Sequence, residues 1–211
     1  MTVLLAGLIT LAAYLLGSVP AGLVISYRAS GLDIRSEGSG NIGTANVYRV
    51  AGRRAAALTL LFDTCKGLAP VLAARGLGLP LWTIFPIGAA AVLGHNFSFI
   101  LHGRGGKGIA TSIGVVGGLA PPAALLAIAV WLLVLLGSRY ASLASLLMMA
   151  ALPALLALLG YPLGDPLFAL GLVLLAVYRH RGNIRRLLAG TETKLTLSRP
   201  ARPANLGSRG H

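Results

Sequence analysis

The chain has 211 residues, of which 56% are hydrophobic and only 11% charged, and its mean hydropathy is +0.81. A soluble domain carries about a quarter charged residues, so this composition excludes an ordinary soluble fold and makes lipid the solvent. Eighteen lysines and arginines against five acids leave a net charge of +13. These charges lie between long apolar runs instead of on a solvated basic face, which excludes a nucleic-acid binder and points to membrane orientation and an anionic substrate. A single Cys65 in an apolar run rules out a disulfide framework, a thiolate metal cluster and a redox pair, and is expected to pack as a small hydrophobe.

The first apolar run, Thr2 to Tyr27, is long enough to span about 30 Å of hydrocarbon as a helix. No basic stretch precedes it, so it is expected to be a retained span and not a signal peptide. Arg28 and Arg35 follow it, which places the N-terminus outside and the next loop in the cytoplasm by the positive-inside rule. Gly17-Ser18-Val19-Pro20 within it predicts a kink and a close packing point. Further apolar runs follow at 56–74, 80–100, 108–119, 122–137, 140–160 and 164–178. The fourth covers only about 18 Å, and is expected to be a half-span or to be extended by the loop before it.

Merging that short run with the next would export the tail carrying Arg179, Arg181, Arg185, Arg186, Lys194, Arg199, Arg202 and Arg209. Seven crossings keep this tail inside and put all but Arg75 and Lys66 of the basic residues on the cytoplasmic side. The expected fold is therefore all-α: a polytopic membrane bundle of seven transmembrane helices, the fourth short, with the N-terminus outside and the C-terminus cytoplasmic. Residues 1–194 read as one domain and 195–211 as a basic, disordered tail against anionic head groups.

Three polar, glycine-rich segments, 28–54, 95–111 and 179–194, fall on the same side of the membrane and can converge. In the first, Gly38-Ser39-Gly40-Asn41-Ile42-Gly43-Thr44-Ala45-Asn46-Val47-Tyr48-Arg49 combines glycines that let backbone amides approach an oxyanion, side-chain donors at Ser39 and Asn41, and a guanidinium at Arg49. It reads as a phosphate cradle, with a helix cap by Ser39 or Asn41 as the plain alternative. In the second, His95 and Asn96 precede Gly105-Gly106-Lys107-Gly108 and a helical run through Thr111. This follows the logic of a phosphate loop at a helix N-terminus without the Walker spacing, so nucleotide hydrolysis is not expected. In the third, His180, Asn183 and Ile184 share one helical face. Asp63 and Lys66, at i and i+3 inside an apolar run, would each cost at least about 2.5–3.5 kcal/mol unpaired. They are expected to form a structural ion pair or to line the site.

These segments, with Gly17-Ser18-Val19-Pro20, Asp63…Lys66-Gly67, Gly94-His95 and Gly190-Thr191-Glu192, resemble the PlsY family of bacterial glycerol-3-phosphate acyltransferases over nearly the whole chain. The resemblance implies an inner-membrane enzyme that moves the acyl group of an acyl phosphate to the 1-hydroxyl of glycerol 3-phosphate. Its products are lysophosphatidic acid and phosphate, with no acyl carrier protein or coenzyme A donor. It further implies catalytic roles for Ser39, Arg49, Lys107 and His180. Substrate and phosphate contacts fall to Gly38, Gly40, Asn41, Gly43, Asn46, His95, Gly105, Gly106, Gly108, Thr111, Asn183 and Glu192. Where the family reads Ala-Thr before the second Asn of its first motif, this chain has Thr44-Ala45, which moves the hydroxyl one position along.

The residue inventory agrees. No His-x-x-x-x-Asp of thioester-dependent acyltransferases occurs, since Ile100, Lys107 and Arg185 stand at that spacing after His95, His102 and His180. Five scattered acids suit neither paired-carboxylate catalysis nor a magnesium cluster, so no metal or cofactor is expected. Chemistry then rests on positioning and electrostatics around an already activated acyl donor, with His180 or a substrate phosphate as base. The expected partners are the two substrates and membrane lipids, with the chain acting as a monomer. The alternative is a transporter of organic phosphate or another anion, which the lack of an inverted repeat disfavours.

Overall fold

A computed structural model describes residues 1–195, so the basic tail expected from residue 195 onward lies outside the described residues except for Leu195. The described residues form nine helices and no strand. The first apolar run is two helices instead of one kinked span: α1 (Thr2–Ser18) and α2 (Ala21–Ser30). Pro20 has no N–H to continue the ladder, and the break strips the carbonyls of residues 17–19 of their helical donors. Other segments supply them. Lys66 Nζ donates to Gly17 O at 3.2 Å and to Val19 O at 2.9 Å, and Ser98 Oγ donates to Ser18 O at 2.6 Å. A buried backbone break is thus satisfied by side chains far away in sequence.

Residues 31–43 form a folded cap. Ile34 and Ile42 are buried against Val47, Ala55 and Ala56, a small core separate from the main one. The next helix, α3 (Thr44–Gly76), starts inside what the sequence reads as a polar segment and is interrupted at Gly52, whose φ of 84° and ψ of −176° no side chain tolerates well. Its N-terminal part therefore belongs to the cap and its longer part, about 36 Å, crosses the bundle. Then come α4 (Leu81–Asn96), α5 (Ile109–Leu119), α6 (Pro121–Ser138), α7 (Ala141–Leu158), α8 (Gly164–Arg179) and the short α9 (Arg181–Leu188).

Small residues set the tightest crossings. A Cβ on Gly17 would strike Ala91 O and one on Gly94 would strike Tyr14 O, so α1 and α4 pack nearly backbone to backbone; Gly67 and Gly114 do the same for α3 and α5. The main core joins α1 and α3–α8 around Ile87, Val115, Val116, Met149 and Leu152. At about 16 Å, α5 is too short to cross alone. It is held in the bundle by α3 and α6, and residues 97–108 form the loop that leads into it from α4.

By length and composition, Thr2–Ser30, Thr44–Gly76, Pro121–Ser138 and Ala141–Leu158 are long and apolar enough to cross a membrane. Leucines such as Leu58, Leu61, Leu125, Leu133, Leu136 and Leu174 are exposed on the bundle's outside, as lipid contact requires. Cys65 lies on this outer face and is exposed, which corrects the expectation that it packs inside: the buried positions of this stretch of α3 are Asp63, Lys66 and Gly67.

Candidate active site

The cap positions Ser39 through Asn46. This fully buried amide donates from Nδ2 to Glu37 O at 3.0 Å and to Ile34 O at 3.3 Å, while its Oδ1 accepts from the Ser39 amide at 2.9 Å. One side chain thereby pins both ends of the turn that carries Ser39. Gly38, at φ 58°, must lack a Cβ because Asn46 Oδ1 occupies that space. Asn41 Oδ1 accepts from the Gly43 amide at 2.8 Å, closing the turn that leads into α3. The first residues of that helix, Thr44 and Ala45, face a cavity together with Ser39, Asn41 and Arg49. Arg49 reaches Thr193 O at 3.4 Å, and its buried Nε has no hydrogen-bond partner among the described residues.

The loop between α4 and α5 is pressed on the end of α4. The Gly106 amide donates to His95 O at 3.0 Å, and a Cβ on Gly105 or Gly106 would strike His95. Gly108, at φ 77°, delivers the chain into α5. Lys107 is thereby swung across to Asn183, whose Oδ1 accepts from its Nζ. Burial first, and then nearby guanidinium groups against the opposing pull of Glu192, brings the Lys107 ammonium down to about 8.

On the third segment, His180 stands between α8 and α9. Its Nδ1 lies 2.8 Å from Ala176 O; a carbonyl only accepts, so Nδ1 carries the proton and Nε2 is left as an acceptor. Burial, followed by the positive charge of Lys107, lowers the ring to about 4, so it is neutral at physiological pH. Asn183 Nδ2 donates to Glu192 Oε1 at 2.6 Å, Ser142 Oγ to the same oxygen at 2.8 Å and Arg186 Nε to Oε2 at 2.7 Å. Glu192 thus fixes the Asn183 amide so that its oxygen faces Lys107.

Asp63 and Lys66 pair at 2.9 Å, both buried. The ammonium also donates to His95 Nδ1 at 3.0 Å, so its three hydrogen bonds go to the imidazole and to the carbonyls of Gly17 and Val19, and it meets the carboxylate as an ion pair without a hydrogen bond. Asp63 and His95 line the cavity, whereas Lys66 does not.

The cavity has a volume of about 650 Å³. Its lining includes the polar side chains of Ser39, Arg49, Lys107, His180, Asn183 and Arg186 and the apolar ones of Leu60, Ile113, Ile128, Trp131, Leu132 and Met148. The first residues of α3, α5 and α7 all line it, so three sets of unsatisfied helix N–H groups and dipoles favour an anion there. With Asp63 neutralised by Lys66, the cations Arg49, Lys107 and Arg186 face a single acid, Glu192.

Of the residues singled out in the sequence, Gly38, Ser39, Asn41, Gly43, Asn46, Arg49, Asp63, His95, Lys107, Gly108, His180, Asn183 and Glu192 line this space. Gly40, Lys66, Gly105, Gly106 and Thr111 do not. The Gly106 amide is spent on His95 and its carbonyl on Arg179, so it offers no donor to a phosphate. Gly40 closes a turn on Glu37 O at 2.9 Å, and Thr111 is buried where α5 meets Gly67. Ser142, Arg186, Thr193 and the apolar lining were not singled out. Arg186 sat in plain view within the third segment but reads there as one more orienting charge, and Trp131 has no local signal at all.

The fold is shared with known proteins. The chain aligns with a crystal structure of PlsY described as an integral membrane glycerol 3-phosphate acyltransferase in its glycerol 3-phosphate form, with a TM-score of 0.86 and 40% identity over 90% of this chain and 96% of that one. A crystal structure of the lysophosphatidic acid form gives 0.83 and 39%, covering 90% and 94%. A glycerol-3-phosphate acyltransferase of Rubrobacter xylanophilus is 49% identical over 187 residues, 89% of this chain and 94% of the relative; one from Geotalea daltonii is 48% identical over 182 residues, 85% and 92%. With a family model described as Glycerol-3-phosphate acyltransferase matching residues 7–190, the chain belongs to the glycerol-3-phosphate acyltransferase family.

Proposed function

We propose that the chain transfers the acyl group of an acyl phosphate to the 1-hydroxyl of glycerol 3-phosphate, giving lysophosphatidic acid and inorganic phosphate. The observation that carries this is one cavity lined both by cationic and polar side chains that suit phosphates and by apolar side chains that suit an acyl chain. A transporter of organic anions has no use for that apolar lining, and the relatives support the acyltransferase. The chain acts as a monomer and as a single domain over residues 1–194, a reading supported by its own side chains supplying both the cationic and the apolar lining.

The bundle crosses a bacterial cytoplasmic membrane seven times with the site facing the cytoplasm. Arg49, Lys107, Arg139 and Arg186 lie at the site's end of the bundle, whereas Arg75 and its partners Gly118 O and Leu119 O lie at the other. The positive-inside rule supports that orientation.

In the reaction, Arg49 and Lys107 neutralise the acceptor and leaving phosphates while the N-termini of α3 and α5 bind their oxygens. The acceptor oxygen attacks the acyl carbon, the carbon–oxygen bond to phosphate breaks, and the leaving phosphate departs with its electron pair. His180 Nε2 accepts a hydrogen bond from the attacking hydroxyl and orients it. With the ring held at about 4, it is a weaker base than a phosphate monoester, whose second pKa is about 6. The proton therefore passes to a substrate phosphate oxygen.

Purified protein in detergent, given acyl phosphate and glycerol 3-phosphate, tests the reading: phosphate release with acylglycerol phosphate formation is expected, and substrate uptake into liposomes with no product would overturn it. His180→Gln keeps the acid limb of kcat near pH 6; disappearance of that limb would make the histidine the base. The sign of the alkaline limb follows from Lys107. Its ammonium is present below about pH 8 and lost above, so kcat/KM falls as pH rises through that value, and Lys107→Arg, which stays charged, shifts the fall upward.

A further inference from the structure

We infer that Arg179, which does not line the cavity, is a positioning residue that sets the distance between Lys107 and the His180–Asn183 segment; this rests on the acyl-transfer reading above. Arg179 ends α8, immediately before His180, and its half-buried guanidinium reaches back to the loop that carries Lys107. Its Nη2 donates to Gly105 O at 2.9 Å and to Gly106 O at 2.8 Å, and its Nε donates to Gly106 O at 3.1 Å. The guanidinium carbon also stands 5.2 Å from the centre of the Phe97 ring, within cation–π range.

The loop needs such a clamp. Gly105 and Gly106 have no side chains to anchor them, and their contacts with His95 hold only the face toward α4. Arg179 supplies the opposite face and ties the Gly-Gly-Lys loop to the end of α8, immediately before His180. Lys107 reaches Asn183 from this loop, so its placement follows the two carbonyls that Arg179 holds. A planar, five-donor fork satisfies two successive carbonyls while lying over a ring; a lysine at the same place offers one compact ammonium and loses that geometry without losing the charge.

The test compares full-length wild type with Arg179→Lys, Lys107→Met and the double variant in detergent, following acylglycerol phosphate formation from labelled glycerol 3-phosphate. Misplacement by about an ångström costs roughly a hundredfold, so Arg179→Lys should lower kcat about a hundredfold with KM values changed less than threefold. In the Lys107→Met background the same substitution should change the rate less than threefold, because the group it positions is gone. A full hundredfold further loss in that background, or a wild-type rate for Arg179→Lys alone, overturns the inference. Should Arg179→Lys fail to fold, Phe97→Leu removes only the ring beneath the guanidinium: a threefold loss confined to the Lys107 background supports the clamp, and no loss overturns it. A wild-type chain that forms no product overturns the acyltransferase reading instead.

Discussion

Lys107→Met is expected to lower kcat/KM for acylglycerol phosphate formation about a thousandfold while leaving the protein folded. One preorganised donor aimed at developing charge is worth about 10²–10³ in rate, and Lys107 adds a full charge to its hydrogen bond. Its ammonium is largely withdrawn from water and answered by only one carboxylate, Glu192, which is already bound to Ser142, Asn183 and Arg186. A phosphate entering here therefore meets a cation that nothing else fully satisfies. Methionine keeps the length and apolar stem, so the loop still packs on His95 and the melting temperature should shift by no more than a few degrees. Initial rates against both substrates check the outcome, and a loss below tenfold would place Lys107 away from the reacting phosphates.

Lys66→Met should act on stability instead, destabilising the fold by about 3–5 kcal/mol, the cost of leaving one partner of a buried ion pair alone. Asp63 would be stranded at 2% exposure, and the carbonyls of Gly17 and Val19 at the α1–α2 break would lose their donor. In a chain of this size that corresponds to a fall of roughly ten degrees or more in the melting temperature. Adding Asp63→Leu should recover only part of the loss, because Gly17 O is still left without its donor while Val19 O keeps only the Ala21 amide. Thermal unfolding in detergent measures both; full recovery in the double variant would show that the carbonyls carry no weight.

Much of this was legible in the sequence. Hydropathy placed the apolar helices, since a bilayer demands long runs without charge, and the short run at 108–119 was already too short to cross alone. The glycine, donor and cation content of the polar segments singles out Ser39, Arg49, Lys107, His180 and Asn183, which line one cavity. The resemblance carried by the same motifs agrees with the family found by comparison. Other features were not local. The helix break at Val19-Pro20 reads as a kink until Lys66 and Ser98 are seen to satisfy its carbonyls. The stretch 44–51 reads as part of a polar segment, with a helix only as the alternative, because its apolar partners, Ile34 and Ile42, lie upstream and beyond helical periodicity. Cys65 reads as core because composition alone cannot tell the lipid-facing side of a helix from its buried side.

Sequence by itself determined the solvent of this protein, its helical class and the presence of chemical types suited to phosphate, since each follows from how individual residues partition and which charges they carry. Only the tertiary structure decided which of those residues share one cavity. Residues such as Trp131, Ser142 and Arg186 acquire their place from packing between helices far apart in the chain, and Gly106 loses its place because close packing on His95 uses the amide a phosphate would need.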